Sequence, residues 1–338
     1  FQKLYNRNLW VMAYEEIAAN PGNMTPGVDG ETIDGMSLEL IDQIIAELKA
    51  SRYKPTPARR TYREKPNGGQ RPIGIPSRQD KLLQTVVRFI LEAIYEPTFS
   101  DASHGFRSER SCHTALEQVK RQVGIRWWVE GDIKGFFDNV DHDILLTILN
   151  KRIQDKRFLH LIGQFLKAGY VENWEFHKTY TGTPQGSNLS PILANIYLNE
   201  LDQMMKQKIA SFNKGKTRQR NPDYMRLKGR KGYAKKKARQ TGDWTEHKQL
   251  QKQLLTTSSA DPQDPNYRRK FYVRYADDFL IGIIGSKQDA QDTKTWLKEY
   301  LRDELHLELS DQKTLITHAQ KRVRFLGSDI QRVPSSKT

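Results

Sequence analysis

The sequence predicts an α+β chain, and three observations carry that reading. Strand-forming residues bracket two adjacent acids within 270–285. A basic stretch over 59–75 turns on Asn67-Gly68, a strong hairpin signal. Amphipathic stripes at helical spacing recur between these hairpins. The first hairpin organises the rest. Its centre is Tyr275-Ala276-Asp277-Asp278, with β-branched and aromatic residues on both sides and Gly282 and Gly285 beyond. Side chains alternate faces along a strand, so consecutive aspartates converge on one spot only where the chain turns. Paired carboxylates there suit divalent cations, which favour oxygen ligands. A polar turn is the plain alternative for Asp-Asp alone, so the rest of the chain decides.

Along the chain, Leu4, Leu9, Met12 and Ile17 repeat at helical spacing, and 20–30 is a loop by its Gly and Pro content. Ser37 caps a helix with Leu38, Ile41, Ile45 and Leu48 on one stripe. Ser77, with Asp80 in the capping-box position, opens a long helix through Leu83, Val86, Val87, Ile90, Leu91 and Ile94 that Pro97 ends. Ser111 starts another through Leu116, Val119 and Val123. Residues 126–133 read as a buried strand with Asp132 near its end, and Asp141 caps a helix bearing Ile144, Leu145, Ile148 and Leu149. A helix over 158–168 leads to strand-like segments around Trp174, Phe176 and Tyr180. After a Gly-, Ser- and Pro-rich loop at 181–191, Pro191 suits the first helical position of a helix through Leu193, Ile196, Leu201 and Met204. Residues 245–255 read as a short helix and 256–266 as a linker. Ser286 and Asp289 form a further capping box for a helix with Trp296, Leu297 and Leu301. Residues 305–309 alternate like a strand, and 313–317 and 323–327 complete a terminal sheet.

Composition narrows the partners. A net charge of +15 points to a polyanion. Fourteen Lys and Arg against the single acid Asp223 give 206–239 a net of +13. Gly215, Gly229 and Gly232 argue against a long helix there, so the segment reads as an inserted, partly mobile arm. Its candidate RNA contacts are Lys214, Lys216, Arg218, Arg220, Arg226, Lys228, Arg230, Lys231, Lys235, Lys236, Lys237 and Arg239, with Tyr224, Tyr233 and Trp244 available to stack on bases. A disordered basic linker is the alternative. No apolar run is long enough for a spanning helix, so no membrane partner is expected. Cys112 stands alone, which excludes an internal disulfide and a zinc site and fits a reducing intracellular setting. No signal peptide opens the chain, and the missing initiator Met is expected of a trimmed piece.

Asp132 ends an apolar strand, where packing explains a carboxylate poorly, so it is the candidate partner of Asp277 and Asp278. Three carboxylates from adjacent strands could hold two divalent ions. Asp138 and Asp141 read as turn and cap residues. With Gly131-Asp132-Ile133, Phe136-Phe137-Asp138 and the loop Gly182-Thr183-Pro184-Gln185-Gly186, the chain resembles reverse transcriptases, and more closely those of group II intron-encoded maturases. The resemblance runs over about 20–330.

The resemblance implies a right-hand polymerase fold with fingers at 36–125 and 143–182 and an antiparallel palm at 126–142 and 183–338. Residues 1–35 would be an N-terminal extension and 206–270 a basic insertion. The chain ends at Thr338, so the thumb is expected to be absent. It maps catalytic carboxylates onto Asp132, Asp277 and Asp278, with Ile133 completing the ion site. Lys313 maps onto the lysine thought to protonate pyrophosphate. Lys65, Arg71, Phe137, Gln185 and Gly186 map onto the nucleotide site, Phe137 as the bulky residue against a ribose 2′-OH. Phe325, Leu326 and Gly327 map onto a primer contact. Read from the residues alone, Lys65 and Arg71 equally suit a solvated hairpin, Phe137 a core residue, Gln185-Gly186 an ordinary loop and Lys313 a strand edge. The implied cofactors are two Mg²⁺, with Mn²⁺ able to substitute. The implied partners are dNTPs, an RNA template, a DNA primer and intron RNA, in an intracellular ribonucleoprotein of a bacterial cytoplasm; a homodimer stays open. Rival readings are a reverse transcriptase of a retron, diversity-generating or defence element, and an RNA-binding splicing cofactor that no longer polymerises.

Overall fold

The computed structural model describes residues 1–20, 22–64, 68–183, 186–261 and 264–332. Lys65, Asn67 and Gln185 lie outside them. In chain order the helices are α1 (Arg7–Ala18), α2 (Leu38–Lys49), α3 (Arg78–Tyr95), α4 (Cys112–Lys120), α5 (Phe136–Asn139), α6 (His142–Asn150), α7 (Lys156–Lys167), α8 (Ser190–Phe212), α9 (Pro222–Thr241), α10 (Thr245–Thr256) and α11 (Lys287–Leu305). The strands are β1 (Ala58–Glu64), β2 (Gln70–Ile75), β3 (Trp127–Gly131), β4 (Tyr170–Glu172), β5 (Glu175–His177), β6 (Arg269–Tyr275), β7 (Asp278–Ile284), β8 (Ile316–His318), β9 (Val323–Phe325) and β10 (Ser328–Ile330).

Two four-stranded sheets carry the architecture. The first has the order β2-β1-β4-β5, and the second β6-β7-β3-β8. Every pairing in the second is antiparallel, with Trp128 opposite Gly282 and Tyr275 opposite Asp278. Both of its faces are buried. Val129, Tyr272, Phe279, Ile281 and Ile283 join the main core with α3, α6, α7, α8 and α11. Their alternating neighbours Trp128, Val273, Leu280 and Ile284 pack on Ala115 and Val119 of α4 and on Val323 and Phe325. A sheet covered on both faces needs apolar residues at successive positions, which is why β7 reads as one continuous apolar run.

The caps do what the sequence implies. Ser37, Ser111, Asp141 and Ser286 each accept from a backbone N–H of the first helical turn. Ser286 and Asp289 complete both arms of a capping box. At α3 the box is half made. Ser77 accepts from the Asp80 N–H, but the buried Asp80 carboxylate instead accepts from Tyr53, Thr56 and the Ser77 hydroxyl. It thereby fastens the approach to β1 onto α3.

Several expectations are corrected. In α1 the buried face is Trp10, Ala13 and Ile17, and Met12 points outward. Val123 lies beyond α4 and is exposed, and in α8 Met205 rather than Met204 is buried. Trp174 is a hairpin tip, exposed, between β4 and β5, and Tyr180 lies past β5. Residues 305–309 do not form a strand: Leu305 ends α11, His306 turns left-handed (φ +47), and Leu307 and Leu309 alternate inward as extended chain. The terminal strands divide, β8 joining the second sheet and β9 pairing with β10 alone.

The largest correction is the arm. Residues 222–241 form a 20-residue helix despite Gly229 and Gly232. Asn221 caps it, Pro222 occupies the first turn, and Gly242 closes it in the left-handed region. Tyr224, Leu227, Lys231, Ala234 and Ala238 recur at helical spacing and are its half-buried or buried positions, and it packs against α10, where Leu250 is buried. Ala and Lys make that stripe nearly invisible to hydropathy. The insertion also starts later than 206, because Ile209 and Phe212 of α8 still pack on the main core. Among the described residues no helix is long and apolar enough to cross a membrane.

A Cβ at Gly229 or Gly232 would meet nothing within 4 Å. Each glycine costs a helix interior about 1 kcal/mol relative to alanine. Gly229→Ala and Gly232→Ala should therefore each slow hydrogen exchange of the α9 amides about fivefold. Faster exchange in either variant would contradict an open, unstrained position.

Candidate active site

The two aspartates sit where the β6–β7 hairpin reverses. Asp278 begins β7 opposite Tyr275, and Ala276 and Asp277 form a two-residue turn with φ +53 at Ala276. That left-handed alanine is held by its neighbours. Arg274 has no exposed side-chain surface. Its Nε and one terminal nitrogen donate to the two oxygens of Asp202 at 2.8 and 2.6 Å. The remaining N–H groups reach Asn195 Oδ1 (3.2 Å), Ser103 Oγ (2.8 Å) and the carbonyl of Ala276 itself (2.8 Å). A guanidinium has five N–H donors, and here each has an acceptor. Asp202 and Asn195 belong to α8, so one buried cation ties that helix to the acidic turn.

Asp132 follows β3, the neighbour of β7, with its backbone carbonyl accepting from Ser310. Its carboxylate is paired to Lys313 Nζ at 3.1 and 3.2 Å. Burial pushes Asp278 up to about 6, reinforced by the charges of Asp277 and Asp132 and opposed by Lys313. Asp277 is raised chiefly by burial and also by Asp132, with Arg71 and Arg274 pulling it back. The three acids thus repel one another in a cleft short of positive charge. Hard oxygen donors in that state fit a divalent cation. Among the described residues no three acidic or imidazole groups already stand gathered as an ion site, so ligation would draw Asp132 away from Lys313.

One cleft of about 1660 Å³ joins Asp132, Ile133, Phe137, Gly186, Asp277, Asp278, Lys313 and Arg71. Arg71 stands opposite Arg63 across the β1–β2 hairpin, and Ile73 to Ile75 of β2 continue the wall. Gly186 has φ +105, and a Cβ there would press within 2.6 Å of Ile73 and 2.8 Å of the Gly74 carbonyl, so the loop sits directly on β2. Lys134 N–H donates to Glu308, which clamps the chain beside Ile133. Phe137 is half-buried, meeting Phe136 at 5.3 Å and 69°.

Other expected site residues fall elsewhere. Phe325 is buried in the second core, so its side chain is packing; Leu326 and Gly327 form the β9–β10 turn, at φ +51 and +77. Neither they nor Phe325 line the cleft. Arg218 is half-buried, donating to the Gly124 carbonyl at 3.2 Å and lying 5.2 Å from the Tyr267 ring, so it is an anchor of the arm. Lys214 pairs by backbone with Arg268 at the arm's base. Of the α9 cations, Arg226, Lys228, Arg230, Lys235, Lys236, Lys237 and Arg239 are exposed and Lys231 is half-buried. Arg274, Asp202 and Phe106 went unread. A lone cation inside Phe271-Tyr272-Val273-Arg274-Tyr275, and an acid beside Leu201 on an apolar helix, were the available signals.

Residues 63–228 match the family model described as reverse transcriptase (RNA-dependent DNA polymerase). The group II intron-encoded protein LtrA of Lactococcus lactis subsp. cremoris is 46% identical over 98% of this chain and 56% of its own length. Protein YkfC of Escherichia coli K12 is 34% identical over 91% of this chain and 76% of its own. Truncated apo telomerase from Candida tropicalis shares the fold, with a TM-score of 0.51 at 11% identity over 88% of this chain and 59% of that one. The chain belongs to the reverse transcriptases, in the lineage of group II intron-encoded proteins. It spans about half the length of LtrA.

Breaking a buried pair from one side leaves an uncompensated charge, at about 3–5 kcal/mol. Arg274→Met should therefore lower stability by about that much in urea unfolding, and adding Asp202→Leu should recover most of it. A single-variant loss under about 1 kcal/mol would show that the pair is not desolvated.

Proposed function

We propose that this chain is the RNA-directed DNA polymerase part of a group II intron maturase. The carrying observation is that Asp132, Asp277 and Asp278 share one cleft with Arg71, Phe137 and Lys313. In this reading the β2-β1-β4-β5 sheet and its helices are the fingers, and the β6-β7-β3-β8 sheet is the palm. Asp132, Asp277 and Asp278, with the Ile133 carbonyl, would hold two Mg²⁺. Bound there, such ions supply Lewis-acid chemistry, lowering the pKa of the attacking 3′-hydroxyl and stabilising the leaving phosphate oxygens. Arg71 holds the triphosphate, since a guanidinium forks onto phosphate oxygens. Phe137 fills the space a ribose 2′-OH would need. Lys313, once released from Asp132, is a proton donor within the cleft for the departing pyrophosphate.

The whole protein would bind its intron RNA, assist splicing and copy the intron into DNA from a cleaved target, inside an intracellular ribonucleoprotein. The α9–α10 hairpin, not a mobile arm, would be the RNA contact.

Asp277→Asn should abolish dNTP incorporation on an RNA template while leaving RNA affinity within about twofold. Retained synthesis in Mg²⁺ would overturn the assignment. A wild-type chain that binds RNA tightly but never extends a primer would favour the splicing-cofactor reading.

The arm can be tested by salt. α9 carries eight Lys and Arg. If half of them meet phosphates, they contribute roughly −3 to the slope of log affinity on log salt. Lys214 and Arg268 already pair at the base, so a short Gly/Ser linker in place of 216–265 joins ends that lie side by side. That variant should bind intron RNA more weakly with a slope flatter by about 3, and equal slopes would place the RNA elsewhere.

A further inference from the structure

We propose that Phe106 is a specificity-determining residue of the nucleotide site, a second aromatic wall that fixes Phe137 against the sugar. The proposal rests on the reading of the cleft as a deoxynucleotide site with Phe137 at C2′. Three observations meet at this residue.

Its backbone is in the left-handed region, φ +55, a genuine outlier for a bulky side chain. Such a conformation persists only where the surroundings impose it, and here they do. Residues 102–104 run as a strand stub along β6, with the Arg274 N–H donating to Ala102 at 2.7 Å and the His104 N–H to Arg274 at 2.8 Å. Gly105 lies so close to the acidic turn that a Cβ would collide with the Ala276 backbone, and its carbonyl accepts from the buried Asn195 at 2.8 Å. On the other side the Arg107 guanidinium donates to Glu96 and to the carbonyls of Ser100 and Ser103 at 2.7–2.8 Å. Residues 105 and 107 are both pinned, which throws residue 106 out between them.

The side chain so presented does no packing in either core cluster. It is 48% exposed and lines the cleft with Asp277. It stands edge-on to Phe137 at 6.3 Å and 77°. Phe137 is therefore held between buried Phe136 and exposed Phe106. Without Phe106 one side of the gate opens, and the ring can turn away from a ribose 2′-OH. Because Gly105 abuts Ala276, the same segment registers this wall against the acids.

The test is the ratio of kcat/KM for a ribonucleotide over its deoxy form at one templated position. Wild type, Phe106→Gly, Phe106→Tyr, Phe137→Val and the Phe106→Gly/Phe137→Val double variant are compared. Glycine suits a left-handed backbone, so Phe106→Gly should melt at or above the wild-type temperature. Its ratio should rise roughly three- to tenfold, the size of one edge-on aromatic contact. Phe106→Tyr should keep the wild-type ratio, and the double variant should match Phe137→Val rather than multiply the two effects. A Phe106→Gly ratio unchanged while Phe137→Val raises it would overturn the proposal, as would multiplicative effects. If Phe137→Val were also flat, or wild type used no dNTP, the underlying reading of the cleft would fall and take this proposal with it.

Discussion

A guanidinium buried beyond the reach of water cannot shed its proton, so its surroundings must supply acceptors for all its donors. Arg274 imposes that requirement on the second sheet. Asp202 answers its charge, Asn195 and Ser103 two further donors, and the Ala276 carbonyl the last. Tyr272 adds a hydroxyl bond to the same Asp202 at 2.8 Å. Buried pairs of this kind contribute little net stability, because desolvation offsets attraction. Their value lies in geometry. Here α8, the 102–105 segment and the β6–β7 turn together satisfy every donor at once, and that arrangement puts a left-handed alanine before Asp277.

The electrostatics of the molecule divide into two regions with opposite needs. In the cleft, acids outnumber nearby cations, and both turn aspartates are raised above their ordinary range. Lys313 on Asp132 is the local compensation. The excess positive charge lies on the insertion, largely along the exposed faces of α9. A site whose acids outnumber its cations and a surface that carries an excess of positive charge both point outward to ligands, cations for the first and a polyanion for the second.

The carboxylates were legible because Asp132 closes an apolar strand, where packing offers no reason for charge, and because Asp277 and Asp278 sit at the turn between two apolar strands. Phe137 could be named only through the family resemblance, since beside Phe136 it reads as core. The sheet was legible because strands buried on both faces have a continuous apolar signature. The arm was misread because its contact stripe consists of two alanines, a lysine, a tyrosine and one leucine, and its two glycines face open space where tertiary packing neither needs nor forbids them. Residues 305–309 alternated like a strand because, after the left-handed His306, each leucine faces inward along extended chain that pairs with its neighbour through the isolated bridge of Leu309 to Ile133 rather than through a strand ladder. Arg274 stayed hidden because one basic residue in a strand looks ordinary until its burial is known. Phe106 stayed hidden because its role lies in a backbone angle imposed by residues distant in sequence.

The central claim is that Asp132, Asp277 and Asp278 together form a divalent-ion site. It is tested most directly by counting Mn²⁺ by electron paramagnetic resonance, with the chain bound to an RNA template, a DNA primer and a non-hydrolysable deoxynucleotide. The account predicts two ions per chain, falling when any one of the three is changed to asparagine. No bound ion in the wild type, or two ions retained with all three changed, would contradict it.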